Sequence, residues 1–274
     1  MSGTVDLHTH TVASDGALSP SALVEKAWSH GVRILAITDH DTTDGVAEAQ
    51  ATAATYAGLT IVPGLEINCD VEGGEVHVLG YGVRNEEAWF QDFLRGQRAE
   101  RAARVHRIAD RLAELGMPID PADVFALVKE GSPGRPHIAQ VMIARGYVKT
   151  MREAFDRYLR TGGPAHVPRK RLTPVEAVGI ILRARGVPVL AHPGVGSKDE
   201  LIPELITAGL MGIECYYAEH SAGQRATYLE WCRRHDLVPT GGSDFHGVHT
   251  GRLNPPGTPA VPIGSWEALQ ARMA

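Results

Sequence analysis

The chain has 274 residues, 43% of them hydrophobic and 22% charged, with a formal net charge of -5. That length suits one large domain or a domain with an insertion, and the apolar content is enough for a sizeable core. The charge excludes a global basic field for nucleic acid, and no apolar stretch is long enough to span a membrane. A local basic groove remains open.

Asp6 and His8 interrupt the only early apolar run, so no signal peptide is expected. Cys69, Cys215 and Cys232 are an odd number without paired spacing, which fits a reducing compartment; the expected location is the cytoplasm.

Residues 5–7 predict a short strand that delivers His8 and His10 at its C-terminal edge. Side chains two apart on a strand face the same side, so both imidazoles can meet one point. Asp15 follows in Ser14-Asp15-Gly16. Ser19-Pro20 reads as a cap and first turn of a helix that Gly31 ends. Residues 34–38 form a continuous apolar run, as in a strand buried on both faces, and end in Asp39-His40-Asp41. A helix over 45–56 stops at Gly58. Residues 60–67 are the next strand, carrying Glu66. Residues 70–74 read as a turn and 76–81 as a returning strand, carrying His77. This rhythm predicts a mostly parallel α/β sheet or barrel.

The rhythm breaks between about 86 and 160, where only helical signals appear. A long amphipathic helix is expected over 87–115, with Phe90, Leu94, Val105, Ile108, Leu112 and Leu115 buried. Its arginines, Arg95, Arg98, Arg101, Arg104, Arg107 and Arg111, read as a solvated face rather than as a path for RNA. Shorter helices follow near 122–128, 137–145 and 151–158. The alternation then resumes. A helix opens at Pro174, and a strand over 187–191 ends in His192-Pro193-Gly194. Helix 201–208, strand 212–215, helix 222–235 and strand 237–240 follow. The last strand ends in Gly241-Gly242-Ser243-Asp244-Phe245-His246, and a helix near 266–273 closes the chain. The expected division is a barrel's first part over 1–84, a helical insertion or lid over 85–164, and the barrel's second part over 165–274.

Sites in open α/β sheets and barrels lie at the C-terminal edge of the strands. His8, His10, Asp15, His40, Glu66, His192, Asp244 and His246 collect there, with His77 on the neighbouring strand. One ion does not need so many donors, and two or three ions are the economical reading. A mixed imidazole–carboxylate set suits Zn, Mn or Fe better than Ca or Mg. The bland alternative is a set of isolated polar residues at strand ends. Of the other histidines, His30, His106, His220 and His235 read as surface residues, and His166 and His249 stay undecided.

Asp6-Leu7-His8-Thr9-His10-Thr11, Ser14-Asp15-Gly16, Thr38-Asp39-His40-Asp41-Thr42, Gly64-Leu65-Glu66, His77, Ala191-His192-Pro193-Gly194 and Ser243-Asp244-Phe245-His246 together resemble the PHP (polymerase and histidinol phosphatase) family. The resemblance runs from end to end. It is nearest to the small members of the nucleoside 3',5'-bisphosphate phosphatase and RNase AM type, whose helical insertion carries an Arg-x-His motif, here Arg135-Pro136-His137. It implies a distorted (β/α)7 barrel with a helical insertion and two or three divalent metals, Mn before Zn, Fe or Mg. By motif, His8, His10, Glu66 and Asp244 would hold one ion. Glu66, His77 and His192 would hold a second, with Glu66 bridging, and Asp15, His40 and His246 a third. Many family members have histidine at the position of Asp15; the carboxylate matches the nucleotide-phosphatase branch.

The implied reaction is hydrolysis of nucleotide phosphate monoesters by a metal-activated hydroxide, with 5'-3' exoribonuclease action on short RNA as an extension. Glu66, His192, Arg135 and His137 are the catalytic candidates. Arg135, His137, Arg169 and Lys170 are the substrate contacts. A nucleotide or short oligoribonucleotide is the expected partner; stable binding of duplex nucleic acid is not expected. The competing readings are a small-metabolite phosphatase of the histidinol-phosphate kind, a metallohydrolase of C–N bonds, and a non-catalytic accessory module.

Overall fold

The computed structural model describes residues 4–72, 74–128, 131, 133–168, 172–247 and 254–273. Seven strands follow one another in chain order around one sheet. They are β1 (Thr4–Asp6), β2 (Val32–Ile37), β3 (Thr60–Val71), β4 (Gly74–Tyr81), β5 (Val187–Leu190), β6 (Gly212–Tyr216) and β7 (Val238–Gly241). β4 runs antiparallel to β3 and β5, and all other neighbours are parallel. The circle closes just beyond β1 and β7. Leu7 N–H donates to the Gly241 carbonyl (3.1 Å), Asp244 N–H to that of His8 (2.8 Å), and His10 N–H to that of Phe245 (3.0 Å). The seam is tight: a β-carbon on Gly242 would lie 2.4 Å from the His8 nitrogen. The result is a distorted barrel of parallel strands with one strand reversed.

Helices cover the outside. α1 (Pro20–Ser29) starts as its sequence predicts, with Ser19 Oγ accepting from Ala22 N–H at 3.2 Å and Pro20 in the first turn. α2 (Val46–Ala53) packs beside it. The insertion contributes α3 (Ala88–Glu114), α4 (Pro121–Leu127), α5 (Arg135–Ala144) and α6 (Met151–Ala154), which continues into a π-helical turn over Phe155–Leu159. α7 (Pro174–Arg183), the short α8 (Pro193–Gly196), α9 (Ile202–Ala208), α10 (Ala222–His235) and α11 (Ile263–Met273) complete the shell. Among the described residues no helix is long and apolar enough to cross a membrane.

Two details depart from the sequence reading. The expected turn over 70–74 is mostly strand, because pairing continues from Glu66↔Leu79 through Asp70↔Glu75 to Val71↔Gly74. Polar residues at the hairpin tip disguise the ladder. Leu115 is 38% exposed rather than buried. α3 ends at Glu114, and the chain folds back so that Met117 N–H bonds the Leu112 carbonyl and the buried Met117 takes the core position.

The helices of the insertion have a core of their own, in which Val105, Ile108 and Leu112 of α3 meet Ile138 and Met142 of α5 and Leu159. The first turns of α3 belong elsewhere. Phe90 and Leu94 pack with Leu65, Val78 and Ile181 of the barrel. One helix thus serves two cores, and each fully buried Leu or Phe contributes about 1.5–3 kcal/mol to the joint.

Candidate metal centre

The C-terminal ends of the parallel strands form the mouth of the barrel. His8 and His10 follow β1 and turn their rings into it, while Thr9 between them turns away and donates to the Ala36 carbonyl at 2.5 Å. The loop bearing Asp15 is folded around the buried Asp39, whose carboxylate accepts from Thr11 N–H (2.7 Å), Thr11 Oγ1 (2.7 Å) and Ser14 Oγ (2.5 Å). Gly16 permits this turn, since a β-carbon there would lie 2.5 Å from the His10 carbonyl oxygen. His40 follows β2 and bridges to Glu66 on β3. β4 runs downward, so its first half lies at the mouth. His77 therefore pairs with Asn68 and comes within reach of Glu66.

Three residues at these strand ends, Asp41 (φ 53), His192 (φ 23) and Asp244 (φ 51), have left-handed backbones. Such conformations cost roughly 1–3 kcal/mol each and persist where the surroundings fix them.

Glu66 is the centre. Its Oε1 lies 2.8 Å from His77 Nδ1 and 3.1 Å from His192 Nε2. Its Oε2 lies 3.4 Å from His8 Nε2, 3.3 Å from His10 Nε2 and 3.0 Å from His40 Nδ1. Asp244 Oδ1 is 3.5, 3.2 and 3.3 Å from His8, His10 and His246. Asp15 Oδ1 is 3.3 Å from His246 Nε2, and Asp15 Oδ2 is 3.9 Å from His40 Nε2. Donor atoms come within 4.8 Å of one another in four overlapping groups: His10, Asp15, His40 and His246; His8, His192 and Asp244; His8, His10 and Glu66; His40, Glu66 and His77. All nine sequence-selected ligands are thus brought together.

The donors fit divalent ions. Ligand bonds of about 2.1 Å put tetrahedral donor atoms roughly 3.4 Å apart, close to the spacings seen. His10 Nδ1, Asp15 Oδ1 and His40 Nδ1 are buried with polar atoms of the other ligands close by but make no well-aligned hydrogen bond, which is costly unless something else satisfies them.

Charge is distributed accordingly. Burial works against charge on Glu66, but His40, His77 and His8 hold it well below the usual carboxylate range. His246 and His40 likewise outweigh burial at Asp15 and keep it ionised. Burial drives His40 well down. Burial, joined by His246, brings His10 to about 4. At His8 burial is overcome by Glu214 and Glu66, and the imidazole is pushed up to about 10. Ionised carboxylates beside neutral His10 and His40 are the forms that ligate metals.

A cavity of about 730 Å³ separates the ring from the insertion. Asp15, His40, His77 and His246 line one side and Arg101, Arg104 and Arg135 the other. Here the structure corrects the sequence reading of α3. Arg101 and Arg104 are each 4% exposed and do not lie on a solvated face. Arg101 Nε donates to Asp41 Oδ2 at 2.6 Å, and its guanidinium also reaches Asn68. Arg104 donates to Glu75 Oε1 at 2.9 Å and to the Val167 carbonyl at 2.7 Å. Their partners lie on the barrel, remote in sequence, so the helix pattern cannot reveal them. Arg95, Arg107 and Arg111 do pair along the surface, with Asp92, Glu100 and Glu114.

Arg135 opens α5 and donates to Glu75 Oε2 at 2.5 Å. His137 is absent from the cavity wall; its Nδ1 accepts from Gly134 N–H at 3.1 Å and ties the start of α5. Arg169, Lys170 and His249 lie outside the described residues.

His220 is not a surface residue. It is half-buried, accepts from Gly194 N–H at 3.2 Å, and packs against Tyr217 and Tyr228, because the start of α10 folds over α8. His30, His106 and His235 are exposed, and His166 is half-buried. Sequence reasoning missed several residues that hold the ring. Asn68 Nδ2 lies 2.7 Å from His77 Nε2, Tyr217 donates to Asp244 Oδ2 at 3.0 Å, and Glu214 contacts His8. A lone carboxylate inside the apolar run 212–215 was the available signal for Glu214.

Three comparisons bear on this site. A family model described as the PHP domain matches residues 6–120. The chain is 34% identical over 246 residues to a 5'-3' exoribonuclease of Haemophilus influenzae, covering 88% of this chain and 89% of that protein. It is 33% identical over 279 residues to a 3',5'-nucleoside bisphosphate phosphatase of Chromobacterium violaceum, covering 98% of this chain and 97% of the other. A crystal structure from Bifidobacterium adolescentis, assigned as a metal-dependent phosphoesterase, superposes with a TM-score of 0.89 at 33% identity, over 99% of this chain and 97% of that one.

Proposed function

The chain belongs to the PHP domain family and is a metal-dependent phosphoesterase, and from that premise we propose that it removes a phosphate from nucleotides carrying a second anionic group, with nucleoside 3',5'-bisphosphates as the substrate class. One observation carries this reading. The cavity has Asp15, His40, His77 and His246 of the ligand ring on one side and Arg101, Arg104, Arg135 and Arg152 on the other, with Val105, Ile108, Ile138, Met151 and Phe155 as apolar lining. One phosphate would sit against the ring, a second against Arg135, and a nucleoside against the apolar wall.

The proposed ligand sets follow the two oxygens of Glu66. Oε2 serves with His8, His10 and Asp244, Oε1 serves with His77 and His192, and Asp15, His40 and His246 form a third set. Mixed nitrogen and oxygen donors favour Mn over Ca. Bound there, divalent ions would supply a nucleophile from water near neutral pH and neutralise charge on the phosphoryl oxygens.

The remaining work falls to the chain itself. Arg135 shares Glu75 with Arg104, and an incoming phosphate offers it a stronger, bidentate partner. The insertion screens the reacting phosphate from bulk water. Neither Arg169 nor Lys170 is needed for this account, and His137 ties the start of α5 through its bond to Gly134. The three cysteines are buried and in the thiol form, which supports a reducing, cytoplasmic setting.

A second reading, 5'-3' exoribonuclease action on short RNA, is favoured by a comparable identity, 34% over 88% of this chain, to the Haemophilus protein. Phosphate and nucleotide release would be measured from bisphosphates, monophosphates and 5'-phosphorylated oligoribonucleotides with Mn restored. Faster release from bisphosphate than from monophosphate is expected, and release from none of them would sink both readings.

A further inference from the structure

Glu214 sits in the interior of β6 between the core residues Ile213 and Cys215 and is fully buried. It does not line the cavity. An ionised carboxylate in such a place needs hydrogen-bonded partners, and both of its partners belong to the ring. Its two oxygens lie 3.0 and 3.2 Å from His8 Nδ1, and Oε2 also accepts the His192 backbone N–H at 2.8 Å.

The first bond selects a nitrogen. A carboxylate can only accept, so the shared proton belongs to His8 Nδ1. Nε2 is then the nitrogen left to bind an ion, and it faces His10 Nε2 (3.1 Å), Glu66 Oε2 (3.4 Å) and Asp244 Oδ1 (3.5 Å). The second bond fixes a backbone. His192 has φ 23 and ψ 56, in the left-handed region that side chains other than glycine disfavour. Anchoring its N–H holds the turn that aims His192 Nε2 at Glu66 Oε1, 3.1 Å away. One carboxylate therefore reaches a ligand on each side of Glu66.

We infer that Glu214 is a positioning residue that sets the two metal positions flanking Glu66 as a unit, through the tautomer of His8 and the backbone of His192. This rests on the proposed reading of His8 and His192 as ligands of two ions. Glu214→Gln keeps the shape and loses the bonding. Whichever way the amide turns, its NH2 donor replaces one accepting oxygen: at the Oε2 place it faces the His192 N–H and removes that anchor, and at the Oε1 place it faces His8 Nδ1 and removes the preference for a proton there.

Metal-stripped wild type and E214Q would be titrated with Mn and the bound metal counted. Outer partners of metal ligands typically change affinity about 10- to 100-fold, and E214Q should weaken by that order at least the position whose ligand loses its accepting oxygen. Unchanged affinity at both positions overturns the inference. A wild type that takes up no metal overturns the ligand reading itself and the inference with it. Zinc-loaded wild type gives a test that needs no variant. Imidazole nitrogen NMR should show His8 protonated at Nδ1 and metallated at Nε2; metal on Nδ1, or Nδ1 without a proton, contradicts the assignment even if E214Q fails to fold.

Discussion

The two sides of the cavity are built in different ways. On the barrel side each ligand follows or lies within a strand, and sheet pairing fixes its place. Glu66 and His77 are set by the β3–β4 register, and Asp244 by the seam to His8. On the insertion side, side-chain ion pairs do the positioning: Arg101 leans on Asp41, and Arg104 and Arg135 share Glu75. Backbone pairing gives a rigid ring suited to ions that demand fixed geometry. Ion pairs give a wall that an incoming phosphate can rearrange. Damage to the ring should therefore abolish chemistry, while damage to the wall should change which substrates are accepted.

The sharpest break in that contrast comes from Glu66→Gln. Loss of the shared carboxylate should reduce bound metal and lower kcat by on the order of 10³-fold, measured by metal analysis and phosphate release. Full metal content with near-normal kcat would remove Glu66 from the centre. Asp15→Ala should lose a different ion from His8→Ala, since Asp15 faces His40 and His246, whereas His8 faces Glu66 Oε2 and Asp244 Oδ1. Loss of the same ion from both variants would contradict the proposed split.

On the wall, Arg135→Ala should lower kcat/KM for a bisphosphate about 10- to 100-fold, the worth of a charge-assisted hydrogen bond or two. The monophosphate should suffer much less, and an effect within about twofold on both substrates would end the phosphate role of Arg135. Glu75→Gln should cost about 3 kcal/mol of stability by leaving buried Arg104 short of a charge partner; denaturant unfolding checks this, and no change in the midpoint would mean that the wall does not depend on the pair.

The smallest expected effect concerns pH and the metal-free protein. Burial lowers His10 from 6.5 to about 4 and takes His40 well down. The unfolded chain therefore binds their protons first, and their contribution is complete above pH 6.5 and fades as pH falls, that of His10 toward 4. His8, pushed up to about 10, works in the opposite sense and contributes below 6.5, with loss as pH rises through 10. The melting temperature of metal-free protein should fall between pH 6.5 and 5, and a flat profile there would contradict the neutral state of His10 and His40.

Much of the ring was legible because each apolar run ends in its ligands. A strand buried on both faces, followed at once by Asp39-His40-Asp41 or Ala191-His192-Pro193, announces both the element and the edge where chemistry collects. The order of strands and helices was legible for the same reason. What could not be read locally depends on partners far along the chain. Arg101 and Arg104 look like surface residues until Asp41 and Glu75 are brought to them. His220 looks free until α8 packs beneath it, and Glu214 looks like an ordinary strand residue until His8 arrives from the other end of the sequence. Leu115 failed for a simpler reason: the helical period was extended one residue past the point where α3 stops.

The most direct test of the metal-centred account is phosphate release from a nucleoside 3',5'-bisphosphate by metal-stripped protein titrated with Mn. The account predicts no release before Mn is added, and a rise that saturates once the Glu66-shared positions are filled. Release that survives complete metal removal, or that never appears at any Mn level in folded protein, would contradict it.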